Sequence, residues 1–169
     1  MRLALFFLLL TLLALLVETV LARWWGGLLL PDLAVVLVVD LGLGYNRWAA
    51  PLVAFAMGCC VDAFSGVAPG SNALLFTLIF MAAWWQGPST PLVRLLMVFL
   101  GVVARDAGAL VLAGEARALW ATGSMPARIV VRAAETALLA PVVFALIARL
   151  KGPLGLEPRR ARPLRARFG

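Results

Sequence analysis

The sequence predicts an all-α integral membrane protein built as a bundle of six transmembrane helices, and two observations carry that prediction. Hydrophobic residues make up 64% of the 169 residues, against roughly 45–50% in soluble domains. A chain of this length has too little interior to hide them from water. The apolar residues also fall in six runs parted by Gly, Pro, Asn and charged residues, and a span needs roughly 20 apolar residues.

The first run, Leu3–Leu21, is longer than the apolar stretch of a secretory signal and is interrupted near its end by Glu18, so it reads as a retained helix although Val20-Leu21-Ala22 loosely resembles a cleavage site. Trp24, Trp25, Gly26 and Gly27 follow as an interfacial turn with aromatic anchors. The second run extends from Leu28 to about Tyr45, with Pro31 near its first turn and Asp32 at the positive end of its dipole. After Asn46-Arg47 the third covers Trp48–Phe64. The Ser65–Ser71 loop leads to a fourth run ending near Trp85, with Ser71 or Asn72 as its cap. Thr90-Pro91 opens a fifth helix to about Leu112, with proline at N1. The polar loop Ala113–Ala127 precedes a sixth helix, Ile129–Leu150. Residues 1–150 are thus one transmembrane domain, and 151–169 a basic, disordered cytoplasmic tail. The connections are short, so successive helices are expected to be antiparallel neighbours.

The net charge of +7 is concentrated at one end. Arg149, Lys151, Arg159, Arg160, Arg162, Arg165 and Arg167 face only Glu157. Beside a hydrophobic helix such a cluster sets topology and touches anionic membrane lipid, and nucleic-acid binding is not expected. Six spans put both termini on the cytoplasmic side, with the Ser65–Ser71 and Ala113–Ala127 loops outside.

The polar residues inside the apolar runs are the informative ones, because a charge in a bilayer needs a partner, a wet cavity or a protein interface. Asp62 lies in the third run, and Ala54, Gly58, Asp62 and Ser65 recur at helical spacing as a stripe of small residues that lets another backbone approach. The acids Glu18, Asp32, Asp40, Asp62, Asp106 and Glu135 roughly balance Arg94, Arg105 and Arg132, so pairing within the bundle is expected. Asp40, Arg105, Asp106, Arg132 and Glu135 are the pairing candidates. A transport path or ligand pocket built on the same residues is the alternative. The sequence has no histidine, which removes histidine acid–base chemistry and most zinc and haem sites. The two cysteines, Cys59 and Cys60, are adjacent and read as packing residues. No catalytic constellation, metal site or cofactor site is expected.

Pro31-Asp32-Leu33, the Asp62-x-x-Ser65-Gly66 ending of the third helix and Pro69-Gly70-x-Asn72-Ala73-Leu74 at the start of the fourth together resemble the MreD family of rod-shape-determining membrane proteins. The resemblance covers residues 1–150 and is sharpest over Gly58–Leu74. After Gly44 the chain departs from the family's glycine-rich pattern with Tyr45-Asn46-Arg47. The resemblance implies a non-enzymatic scaffold of the cell-elongation machinery in the bacterial inner membrane. It implies as partners an MreC-like single-span protein and, in a larger complex, the peptidoglycan synthase of RodA and a class B penicillin-binding protein. By match, Pro31, Asp32, Gly58, Asp62, Ser65, Gly66, Gly70 and Asn72 are the structural or partner-binding candidates, with a partner groove beside the Gly58/Asp62 stripe. The family is similar in fold to the substrate-binding components of ECF-type vitamin transporters. That similarity carries the second expectation, a small-molecule-binding transporter subunit.

Overall fold

The most buried helix is the shortest one. Leu33–Gly44 (LAVVLVVDLGLG) is apolar apart from Asp40, and a helix with no polar stripe belongs in an interior. In the computed structural model, which describes residues 2–25, 30–45, 49–65, 69–87, 90–112, 114, 124–153 and 155, this helix is the axis of the bundle. Six α-helices are described: α1 Arg2–Trp25, α2 Leu33–Gly44, α3 Ala50–Ser65, α4 Ser71–Gln86, α5 Pro91–Leu112 and α6 Ser124–Lys151. Every other helix packs on α2, and around it α1, α3, α4, α5 and α6 follow one another in contact. Among the described residues α1 and α6 do not pack together, so the ring is open on that flank.

Consecutive helices run antiparallel. Phe7 of α1 stacks edge-on against Tyr45 beyond the C-terminus of α2, and Glu18 reaches Leu33 at its start. Thr136 and Lys151 of α6 meet Asp32 and Asp40 in the same order. One end of the bundle thus gathers Phe7, Tyr45 and Lys151, and the other the starts of α2 and α4.

Among the described residues, α1, α5 and α6 alone are long and apolar enough to cross a membrane. The 12 residues of α2 span about 18 Å, and the 16 of α3 and of α4 about 24 Å. The six full-length spans expected from the sequence therefore resolve into three long helices and three short ones. The buried helix α2 need not reach the headgroups, because its end groups can be satisfied within the bundle.

Several boundaries differ from the sequence reading. Helix α1 continues through Trp24, which is 81% exposed, so the aromatic pair closes a helix rather than forming a turn. Helix α2 starts at Leu33, not Leu28, and Pro31 precedes the N-cap instead of occupying N1. The cap is Asp32, whose carboxylate accepts from Val35 N–H at 3.1 Å. Gly70, not Ser71 or Asn72, occupies the N-cap of α4, at φ +89°. That left-handed conformation disfavours any residue with a Cβ, and Gly70→Ala is expected to lower stability by about 1–2 kcal/mol, read as a lower thermal midpoint in detergent. Helix α5 starts at Pro91 as expected. Helix α6 begins at Ser124 rather than Ile129 and takes in Lys151, so the basic tail starts one residue later than position 151. Residues 156–169 and Gly66 lie outside the described residues.

Candidate functional site

The tightest helix pairing is α3 against α4, and it begins with a missing side chain. A Cβ on Gly58 would stand 2.6 Å from both Ala73 N and Asn72 O, so only glycine admits the first turn of α4 this closely. One turn on, Asp62 meets the same turn with its carboxylate. Its Oδ2 accepts from the N–H groups of Gly70 (3.0 Å) and Ala73 (3.2 Å). Its Oδ1 accepts from Asn72 N–H (3.0 Å) and from the Asn72 amide (2.9 Å). A helix start leaves its first N–H groups without partners, and here one acid from the preceding helix supplies them. Asp62→Ala is expected to cost about 2 kcal/mol, a strong cap deletion, while Ser71→Ala leaves the thermal midpoint nearly unchanged.

At Gly58 and Asp62 the stripe is occupied by α4 of the same chain, and Ala54 and Gly58 are buried, so a partner groove would lie beside the stripe and not on it. Ser65 ends α3. Cys59 is exposed, not packed, and Cys60 half-buried.

From Asn72 the polar chain crosses the bundle. The Asn72 side-chain oxygen accepts from Arg105 Nε at 3.0 Å, and the Arg105 guanidinium, above the Phe76 ring, pairs with Asp32. Asp32 is fully buried. Its own N–H donates to Thr136 Oγ1 (2.9 Å), and Arg132 Nη2 stands 3.6 Å from its carboxylate. Arg132 also holds Asp106 (3.1 and 3.3 Å) and the Leu30 carbonyl (3.1 Å). Glu18 accepts from Leu33 N–H at 2.7 Å. One network therefore takes a side chain from each of the six helices: Glu18, Asp32, Asp62, Asn72, Arg105 with Asp106, and Arg132 with Thr136. Around α2's first turn, two carboxylates (Asp32, Asp106) share two guanidiniums, with Glu18 beside them on the Leu33 N–H. Gly101 and Gly108, on the Arg105 side of α5, let it close on Val35 and Leu75.

A second charged layer lies at the opposite end. Asp40 pairs with Lys151, whose ammonium sits over the rings of Phe7 (5.3 Å) and Tyr45 (5.0 Å). The side chains of Ala34–Val39, all buried, separate the two layers, about 12 Å apart along the helix.

Of the expected pairing residues, the structure joins Arg105 to Asp32, and Arg132 to Asp106 and Asp32. Asp40 meets Lys151, a residue assigned to the tail, and not an arginine. Asp62 binds backbone amides. Glu135 and Arg94 make no ion pair among the described residues, and Arg94 is exposed. Glu18, Thr136 and Lys151 were missing from the sequence-derived sites. Lys151 continues the buried face of α6, formed by Ala133, Thr136, Ala140 and Ile147, one turn further. Among the described residues no three acidic or thiol side chains are grouped to hold a metal ion.

No family model matches the chain, and no curated protein or solved structure gives a match to it.

Proposed function

We propose that this chain is a non-enzymatic scaffold in the bacterial inner membrane, of the MreD kind, that holds an MreC-like single-span protein and supports a RodA–penicillin-binding-protein synthase. One observation carries the reading: the charged network is spent on joining the six helices to one another. The same residues that carry the resemblance, Asp32, Gly58, Asp62, Gly70 and Asn72, make the α2 cap and the α3–α4 junction. Charges committed in this way tie the helices together and leave an outward surface that is largely apolar, which suits a helix-binding platform. The buried Ala34–Val39 layer between the two charged layers weighs against a continuous polar path.

In the same proposal both termini are cytoplasmic, and α2, enclosed by the bundle, crosses the bilayer together with the outer helices α3 and α4. Arg2, Arg94 and Arg149, all exposed, fall at the end where Lys151 lies, as the positive-inside rule asks.

The test is purification of the native chain in mild detergent, with its associated proteins and small molecules identified by native mass spectrometry. A stoichiometric single-span protein is expected. A stoichiometric small molecule with no protein partner overturns the scaffold reading in favour of the transporter subunit.

A further inference from the structure

Helix α6 is held at two separate places, and they differ in kind. Its first half is tied to α2 and α5 by Arg132 and Thr136, through bonds to Asp32, Asp106 and Leu30. Its far end is tied by one side chain, Lys151, to Asp40, with the Phe7 and Tyr45 rings beneath it. Between the two ties stands Pro141. A proline inside a helix removes one ladder hydrogen bond and its ring crowds the carbonyl four residues back, so bending concentrates there.

Beyond that proline Ile147 and Lys151 are buried and Val143 and Phe144 lie partly buried against the core, while Leu138 and Val142 beside it are 79% and 68% exposed. Because α1 and α6 do not pack together among the described residues, an outward swing of this part meets no neighbouring helix on that flank. Lys151 is the side chain that reaches across the opening, from α6 to Phe7 of α1.

We propose that the segment Pro141–Lys151 is a gate, hinged at Pro141 and latched by Lys151 on Asp40, and that its opening bares the flank of α2 between α1 and α6. The latch suits reversible use. It is one ion pair at a helix terminus, and α6 ends there in the turn of Gly152 and Pro153. The Arg132–Thr136 half, bonded at several atoms, stays in place and acts as the fixed side of the hinge.

The test uses the full chain in lipid nanodiscs. In the unsubstituted protein, amide hydrogen exchange over residues 143–151 is expected to be about tenfold or more faster than over 129–137. Equal protection across α6 overturns the proposal, and this arm needs no variant to fold. Spin labels are then placed at the exposed positions Leu146→Cys and Leu78→Cys, with Val131→Cys and Leu78→Cys as the reference pair, both in a Cys59→Ala/Cys60→Ala background. Lys151→Met is expected to add a longer distance to the first pair only, and adding Pro141→Ala to remove it. Asp40→Asn releases the same latch from its other side and is expected to act alike. No change at residue 146, or equal movement of both pairs, overturns the gate.

Discussion

Replacing Arg105 by leucine is expected to cost the bundle about 3–5 kcal/mol, the range for removing one member of a buried ion pair. The reason is what is left behind. Asp32 is fully buried, at the first turn of a helix enclosed by all the others, and Arg105 pairs with it directly. Arg132 Nη2, at 3.6 Å and already bonded elsewhere through Asp106 and Leu30, is too far to replace that contact. The same substitution leaves the Asn72 oxygen without the Arg105 donor and loosens the start of α4. Thermal unfolding in detergent of Arg105→Leu, Asp32→Leu and the double variant measures this as a cycle. Each single variant should unfold far below the parent, and the double should recover part of the loss because no buried charge then stands alone. A single Arg105→Leu within about 1 kcal/mol of the parent would remove the network from the account of the fold.

Gly58→Ala is expected to be as damaging through sterics alone, by about 3 kcal/mol, the upper end for overpacking a well-filled site. The added methyl would stand 2.6 Å from Ala73 N and Asn72 O, and those are backbone atoms that no rotamer change can move. Separating α3 from α4 would also pull Asp62 from the amides it caps, so the two losses compound. Gly44→Ala is the matched control: a Cβ there meets nothing within 4 Å, and replacing a helical glycine by alanine at an open site is neutral or mildly stabilising, by about 0.4–1 kcal/mol. If both alanine variants melt together, the close approach at Gly58 does not govern the hairpin.

What was legible in the sequence was legible for local reasons. Six apolar runs with Pro/Gly breaks located six helices, and Pro91 set the start of α5. The α3–α4 link from Asp62 to the Gly70–Asn72 turn is short-range in sequence, so it could be read as a tie before any coordinates. The errors arose where distant segments meet. Leu28 and Leu30 continue the apolar run, yet α2 starts at Leu33, because Asp32 caps it and is engaged by Arg105 and by Thr136, 104 residues away.

Composition and periodicity alone determined that the chain is helical and apolar enough for a membrane, and roughly where its breaks fall. The tertiary structure decided which charge meets which, that Lys151 belongs to the interior, that the shortest helix is the axis, and that α1 and α6 do not pack together among the described residues. The physical reason is range. Helix formation and apolar transfer depend on near neighbours and are written along the chain, whereas ion pairing depends on which faces the packed helices turn to one another. For Asp40, that partner lies 111 residues away.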